Sequence, residues 1–122
     1  MVRTFIVDDT EETRSVLERM VVISGGFVAG TAASAEAALD WLSSHPVDLV
    51  LTDYQMPGMR GDELARRIKQ LWPSTIVAMT TVLDSEELRR APGVGWLIAK
   101  PVAVGTMRQL LRAVRPMGAL RR

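Results

Sequence analysis

Five short apolar runs alternate along this chain with segments of helical period, and this alternation limits the possible folds more than any other feature. The runs are VRTFIV (2–7), FVAGT (27–31), VDLVLT (47–52), STIVAMT (74–80) and WLIA (96–99). They are rich in β-branched residues, and the third and fourth lack the polar–apolar alternation of a strand with one solvated face. We therefore predict five strands, with the third and fourth covered on both faces.

The connecting segments carry apolar residues at helical spacing. The predicted stripes are Val16, Leu17, Met20, Val21 and Ile23 in the first helix, Ala37, Ala38, Leu39, Trp41 and Leu42 in the second, Leu64, Ile68, Leu71 and Trp72 in the third, and Val104, Met107, Leu110, Leu111 and Val114 in the fifth. Asp84 and Glu87 have the spacing of a capping box for a short fourth helix, which APG at 91–93 ends. Alternating strands and helices predict an α/β fold of right-handed βαβ units, with a parallel sheet between two helical layers.

The totals predict a single domain without a general attraction to nucleic acid or membranes. The 122 residues include 15 basic and 14 acidic side chains, and the arginine pairs at 66–67, 89–90 and 121–122 are interpreted as solvated helix faces. The absence of cysteine excludes disulfides, thiolate metal sites and cysteine nucleophiles. With no signal peptide or membrane-length apolar run visible, we expect a cytoplasmic protein. Residues 1–116 are predicted to form the domain, and 117–122 a C-terminal tail.

Charged and hydroxyl-bearing residues stand where four of the predicted strands end. These are Asp8 and Asp9 after the first strand, Asp53 after the third, Thr80 and Thr81 at the end of the fourth, and Lys100 after the fifth. In an open α/β sheet, ligands bind at the edge formed by the carboxyl ends of the strands. Asp8 and Asp9 alone could equally be helix caps or turn residues. The complete set at one edge favours a functional site.

The chemistry of this set indicates a divalent cation and a phosphoryl group. Clustered carboxylates repel, and one of them would be protonated unless a cation held them together. Ligands that are all oxygen atoms favour a hard ion, Mg²⁺ or Mn²⁺. Lys100, which alone would be an ordinary surface lysine, could hold an anionic group beside the metal. Such a set suits attack by a carboxylate on phosphorus, and Asp53, at the end of the third strand, is the best candidate nucleophile.

Four segments of the chain resemble, in order and spacing, the receiver domains of two-component response regulators, a family that includes chemotaxis regulators. The segments are FIVDD, DLVLTDYQMPGMRGDEL, IVAMTT and IAKP, and the resemblance covers residues 2 to 115. It implies a flavodoxin-like, doubly wound sheet with strand order 2-1-3-4-5, five helices and three layers. It also implies a phosphorylation-dependent signalling switch that is not an enzyme acting on other substrates.

The resemblance further implies roles for the acidic residues. Asp53 would accept a phosphoryl group from a histidine kinase or a phosphotransfer protein. Asp9 and Asp53 would ligate Mg²⁺ directly and Asp8 through water, and the backbone carbonyl of Gln55 would supply another oxygen. A downstream protein target would then read the phosphorylated state.

The same resemblance assigns the remaining site residues. Lys100 would bind a phosphoryl oxygen, with a cis bond to Pro101, and the Thr80 hydroxyl would turn toward the phosphoryl group. Three residues would line the phosphoryl pocket: Tyr54, Gln55 and Thr81. Recognition of the kinase is expected on the first helix, around Thr13, Arg14 and Leu17.

Two positions depart from the pattern of the family. Leu97 stands where receivers usually carry an aromatic residue, and strand alternation places the neighbouring Trp96 on the opposite face. We therefore expect any switching to involve backbone movement of the fourth strand and fourth helix. Thr81 stands where a small residue is common, and it could restrict access to the pocket or simply be a β-branched strand residue.

Three alternative functions remain open. The chain could be the receiver of a hybrid histidine kinase or of a regulator with further domains. It could be an aspartyl-phosphate hydrolase like the haloacid dehalogenases, although these need a second acid where Gln55 stands. It could also be an interaction module that has lost phosphorylation. The presence of the complete set of site residues argues against this alternative: Asp9, Asp53, Thr80 and Lys100.

Overall fold

A computed structural model of the chain describes residues 1–83 and 85–116. The strands are β1 (Arg3–Val7), β2 (Phe27–Ala32), β3 (Leu49–Asp53), β4 (Ile76–Thr81) and β5 (Trp96–Ala99). The helices are α1 (Glu11–Ile23), α2 (Ala35–Leu42), α3 (Gly61–Leu71), α4 (Glu86–Arg89) and α5 (Val104–Ala113). All strand pairs are parallel, in the order β2-β1-β3-β4-β5. The predicted fold class, the strand order and the five helices are confirmed.

The sheet separates two apolar clusters, one on each of its faces. Leu49 and Leu51 of β3 pack in the cluster that includes residues of α1 and α5, and Val50 packs in the cluster that includes residues of α2 and α3. Every residue of β3 is buried, as is β4 after its first residue. The prediction that these two strands are covered on both faces is therefore confirmed.

Parts of the predicted helix stripes are wrong. Val16 and Ile23 of α1 are 50% and 61% exposed, and Leu71 of α3 is 58% exposed. In α1 the buried line is Leu17 and Val21, four residues apart, and residues one or two positions away from this line turn to the flank of the helix. Apolar side chains therefore remain on the surface of α1.

The short fourth helix is confirmed, but its N-cap is Ser85. The Ser85 hydroxyl accepts a hydrogen bond from the backbone N–H of Leu88 at 3.4 Å, and the helix ends at Arg89. Asp84, which was predicted to cap this helix, lies outside the described residues, as does the predicted tail 117–122. No helix within 1–83 and 85–116 has the length and apolar character needed to cross a membrane.

Replacing Thr4 with valine should stabilise the fold. Thr4 is fully buried on β1, and its hydroxyl has no hydrogen-bond partner among the described residues. Valine has nearly the same shape and removes the desolvated hydroxyl, so the free energy of unfolding should rise by about 1 kcal/mol in urea titrations. Thr75→Val is the matched control, because the Thr75 hydroxyl donates to the Val47 carbonyl at 2.9 Å and its loss should destabilise. Destabilisation by both variants would contradict the prediction.

Candidate functional site

Three carboxylates meet at the carboxyl edge of the sheet. Asp53 is the last residue of β3, and Asp8 directly follows β1, which pairs with β3. Asp8, Asp9 and Asp53 each offer a carboxylate oxygen, and these atoms all lie within 4.8 Å of one another. The structure thus brings together the three acids that the sequence placed at strand ends.

One oxygen of this cluster is buried without a hydrogen-bond partner. Asp8 is 1% exposed; its Oδ1 accepts from the backbone N–H of Thr10 at 2.9 Å, whereas Oδ2 has no hydrogen bond within the described ranges. Burial raises the pKa of Asp8 above its ordinary value. The hydrogen bond from the Thr10 N–H acts in the opposite direction, and the nearby charge of Asp53 raises the pKa further. A divalent cation would supply the missing partner, and ligands that are all oxygen atoms fit Mg²⁺ or Mn²⁺.

Lys100 lies directly against the acids. Its Nζ is 3.1 Å from Asp53 Oδ1 and 3.7 Å from Asp8 Oδ2. The backbone N–H of Lys100 donates to the Thr81 carbonyl at 3.0 Å, which ties the segment after β5 to β4. The bond from Lys100 to Pro101 is cis, as the resemblance implied. The site therefore combines three carboxylates with one cation.

The two threonines at the end of β4 face opposite sides of the sheet. Thr80 pairs with Asp53 on the neighbouring strand, and it lines the same cavity as Lys100. The Thr80 hydroxyl donates a long hydrogen bond, 3.5 Å, to the Thr52 carbonyl. Thr81 Oγ1 instead accepts from the backbone N–H of Leu83 at 3.0 Å. Its side chain lines a separate cavity of about 100 Å³ with Leu97. Only Thr80 shares the side of the sheet occupied by Lys100.

The segment between β3 and α3, residues 54–60, directly follows Asp53, and we call it the β3–α3 loop. The backbone N–H of Gly61 donates to the Tyr54 carbonyl at 2.9 Å and closes this loop. Tyr54 is half-buried and Gln55 is exposed, and the two side chains line different cavities. Of the two residues that follow Asp53, Gln55 would therefore contribute its backbone rather than its exposed side chain to the site.

Two side chains that sequence reasoning missed hold the loops of the site. Arg14 Nη1 donates to the Asp8 carbonyl at 2.7 Å, and Glu36 Oε2 accepts from the backbone N–H of Met59 at 3.2 Å. Arg14 was considered only for kinase recognition. Glu36 precedes Met59 by 23 residues, so no local spacing could have revealed this contact.

An apolar groove opens beside the acids, between α1 and the segment that follows β5. Its volume is about 520 Å³, and it is lined by Val16, Met20 and Val102, with Lys100 among its polar residues. Leu17, expected on the recognition surface of α1, is 4% exposed but also lines this groove. Val16 is the exposed apolar residue that α1 contributes here, because it lies beside the buried line of the helix.

Comparison with protein families identifies the module. A model of the response regulator receiver domain matches residues 4–112. The chain belongs to this family. Receiver domains are modules of phosphorylation-dependent signalling, and the acids, the lysine and the threonine of this receiver lie together at the strand ends.

Individual relatives support the same assignment. The receiver is 32% identical to the virulence sensor protein BvgS of Bordetella bronchiseptica over 128 aligned residues. The alignment covers 97% of this chain and 10% of that protein. It superimposes on the chemotaxis protein CheY4 of Vibrio cholerae with a TM-score of 0.84 and 26% identity, covering 94% and 99% of the two chains. The chain thus spans a tenth of the length of BvgS and nearly all of CheY4.

A third relative comes from a complex of CheX and CheY with BeF₃ and Mg²⁺ from Borrelia burgdorferi. The matched chain of that complex gives a TM-score of 0.84 at 25% identity, with coverage of 99% of this receiver and 90% of the neighbour. The relatives of this receiver therefore include both a single chemotaxis protein and a segment of a much longer sensor protein.

Proposed function

We propose that this receiver is a switch that accepts a phosphoryl group on Asp53 from a histidine kinase or a phosphotransfer protein. The observation that carries the proposal is the contact of Lys100 with Asp53 inside a cluster of three carboxylates. A phosphoacceptor needs a carboxylate oxygen open to attack and nearby cations to offset the charge of the incoming group. Lys100 supplies one cation 3.1 Å from Asp53 Oδ1, and the close approach of the three carboxylates, within 4.8 Å of one another, supports a divalent ion as the second.

Mg²⁺ or Mn²⁺, when bound, supplies a Lewis acid that draws charge from the phosphoryl oxygens. Asp9 and Asp53 would hold the ion directly, Asp8 through water, and the Gln55 carbonyl would complete the protein ligands. Asp8 Oδ2 supports this assignment, because it is desolvated and accepts no hydrogen bond among the described residues, with the Lys100 ammonium 3.7 Å away.

The transfer itself needs few protein groups. A carboxylate oxygen of Asp53 attacks phosphorus and forms a P–O bond, while the P–N bond to the histidine of the donor breaks and its electron pair returns to the imidazole. The ammonium of Lys100 stabilises the charge on the transferred group. The Thr80 hydroxyl can exchange its long bond to the Thr52 carbonyl for a phosphoryl oxygen. Tyr54 and Gln55, the two residues that follow Asp53, would border the pocket through their backbone, whereas the Thr81 side chain lines a separate cavity.

The partner surface is proposed to be the apolar groove on α1. Its position beside Lys100 would let a donor protein pack apolar side chains on Val16 and Met20 while presenting a phosphohistidine to Asp53. Nucleic acid is not proposed as a direct partner. Arg66 and Arg67 form ion pairs with Glu63 of the same helix. The hydrogen bond from Arg66, and to a smaller degree that from Arg67, lowers the pKa of Glu63.

We further propose that the module has no enzymatic activity toward other substrates. An aspartyl-phosphate hydrolase like the haloacid dehalogenases needs an acid two residues after its nucleophile, and Gln55 is an amide. The proposed switch acts in the cytoplasm with a protein as its target, and the receiver corresponds to residues 1–116, with 117–122 as a tail. A receiver of this kind could serve alone or within a longer signalling protein.

The test is intact mass after incubation with acetyl phosphate and Mg²⁺. The wild type should gain one phosphoryl group, and Asp53→Asn should gain none because its amide lacks the nucleophilic oxygen charge. Asp62→Asn, which removes an acid in the first turn of α3, should be phosphorylated like the wild type. Chelation of the metal should abolish the gain. Phosphorylation of Asp53→Asn, or an unmodified wild type that nevertheless binds Mg²⁺, would refute Asp53 as the acceptor.

A further inference from the structure

We propose that Glu36 of α2 is a positioning residue for the metal site, acting through the β3–α3 loop. This inference rests on the proposed function, because it takes the three carboxylates to bind a divalent cation with the help of this loop. Glu36 does not touch the acids. It would set the position of the backbone that carries Gln55.

The contact is direct and comes from a different element of the fold. Glu36 Oε2 accepts the backbone N–H of Met59 at 3.2 Å, and the acceptor is a charged carboxylate, which makes such bonds stronger than neutral ones. It is the one side-chain hydrogen bond that the described part of the chain makes to residues 55–60 from another element. The outer half of the loop thus depends on Glu36.

Gly58 lies directly beside this carboxylate. Its φ of +78° lies in the left-handed region that favours glycine, and a Cβ at this position would be 3.0 Å from Glu36 Oε2. A side chain at position 58 would therefore strain the backbone and press on the carboxylate. Glycine allows both the turn and the close approach of Glu36.

Glu36 is itself held by a rigid helix start. Ser34 caps α2 by accepting the N–H of Ala37 at 3.1 Å, and Ala35 and Ala38 are fully buried in the core. The carboxylate therefore extends from a fixed turn. The rest of the loop is held in other ways: the Met56 side chain is buried, and the Gly61 N–H donates to the Tyr54 carbonyl. Glu36 therefore holds the part of the loop around Met59, which these two contacts do not reach.

The test is Mg²⁺ affinity of the full chain, measured by calorimetry. Glu36→Ala should raise the Kd about fivefold, which is the loss expected when a charge-assisted hydrogen bond no longer holds the loop. Glu36→Gln should restore most of the affinity, because its amide oxygen can still accept the Met59 N–H. Asp40→Ala is the matched control: it removes an exposed acid from the same helix and should leave the Kd unchanged.

A second readout separates positioning from general stability. Hydrogen exchange at the Met59 amide should accelerate in Glu36→Ala and not in Asp40→Ala, while the midpoint of urea unfolding without Mg²⁺ stays the same in both. An equal Kd in the two alanine variants, with Mg²⁺ binding intact in the wild type, would overturn the role of Glu36 alone. A wild type that does not bind Mg²⁺ would overturn the proposed metal site and this inference together.

Discussion

Gly61→Ala is expected to lower the free energy of unfolding by about 3 kcal/mol, a large fraction of the stability of a domain of this size. A Cβ on residue 61 would lie 2.1 Å from the carbonyl oxygen of Asp53 and 3.0 Å from the Cα of Tyr54. Both neighbours are backbone, so no side chain can rotate away. Either the start of α3 or the end of β3 must move.

The same displacement should damage the site. Moving Asp53 or α3 breaks the hydrogen bond from the Gly61 N–H to the Tyr54 carbonyl, so Mg²⁺ affinity should fall even in molecules that remain folded. Gly105→Ala provides the control, because nothing lies within 4 Å of its Cβ position in α5 and alanine favours helix. Urea unfolding should show Gly105→Ala as stable as the wild type or more so. Equal stability of the two alanine variants would contradict the prediction, because it would mean that the backbone around Asp53 can move at little cost in free energy.

Lys100→Met should have opposite effects on phosphorylation and on metal binding. The substitution keeps the apolar stem and removes an ammonium 3.1 Å from Asp53 Oδ1. Phosphorylation by acetyl phosphate should slow by about 100-fold, the usual cost of losing one group that stabilises developing charge. Mg²⁺ should bind more tightly, because a positive charge that repels the ion is gone.

Rates of mass gain and calorimetric Mg²⁺ titrations would measure both effects. Lys69→Met is the matched control, since Lys69 lies in the last turn of α3 and should change neither quantity. A simple loss of folding would weaken both activities, so the opposite signs identify a direct role for Lys100. Phosphorylation of Lys100→Met at the wild-type rate would contradict that role.

The gathering of Asp8, Asp53 and Lys100 could be predicted because parallel strands end at a common edge. The apolar run of residues 47–52 identified a buried strand, and its terminal carboxylate therefore marked the edge. Strand order was different: periodicity does not determine which strands are neighbours, and the order 2-1-3-4-5 came from the resemblance alone.

Other features depend on tertiary packing that local sequence does not contain. Val16 and Leu71 have helical spacing, but the width of sheet that each helix covers leaves them in solvent. Asp84 and Ser85 are both residue types that commonly cap helices, so spacing could not decide between them. The bond from Met59 to Glu36 exists only because α2 lies beside α3 in the folded chain.

The opposite orientations of Thr80 and Thr81 couple the two faces of the sheet. Neighbouring residues of one strand cannot move independently, so a backbone shift that carries Thr80 toward Asp53 also displaces Thr81 on the far side. The Thr81 hydroxyl is bonded to the Leu83 amide, and the displacement therefore extends to the segment leading into α4. We therefore expect β4 to transmit a change at the acids through the sheet to the surface around Leu97, without an aromatic side chain.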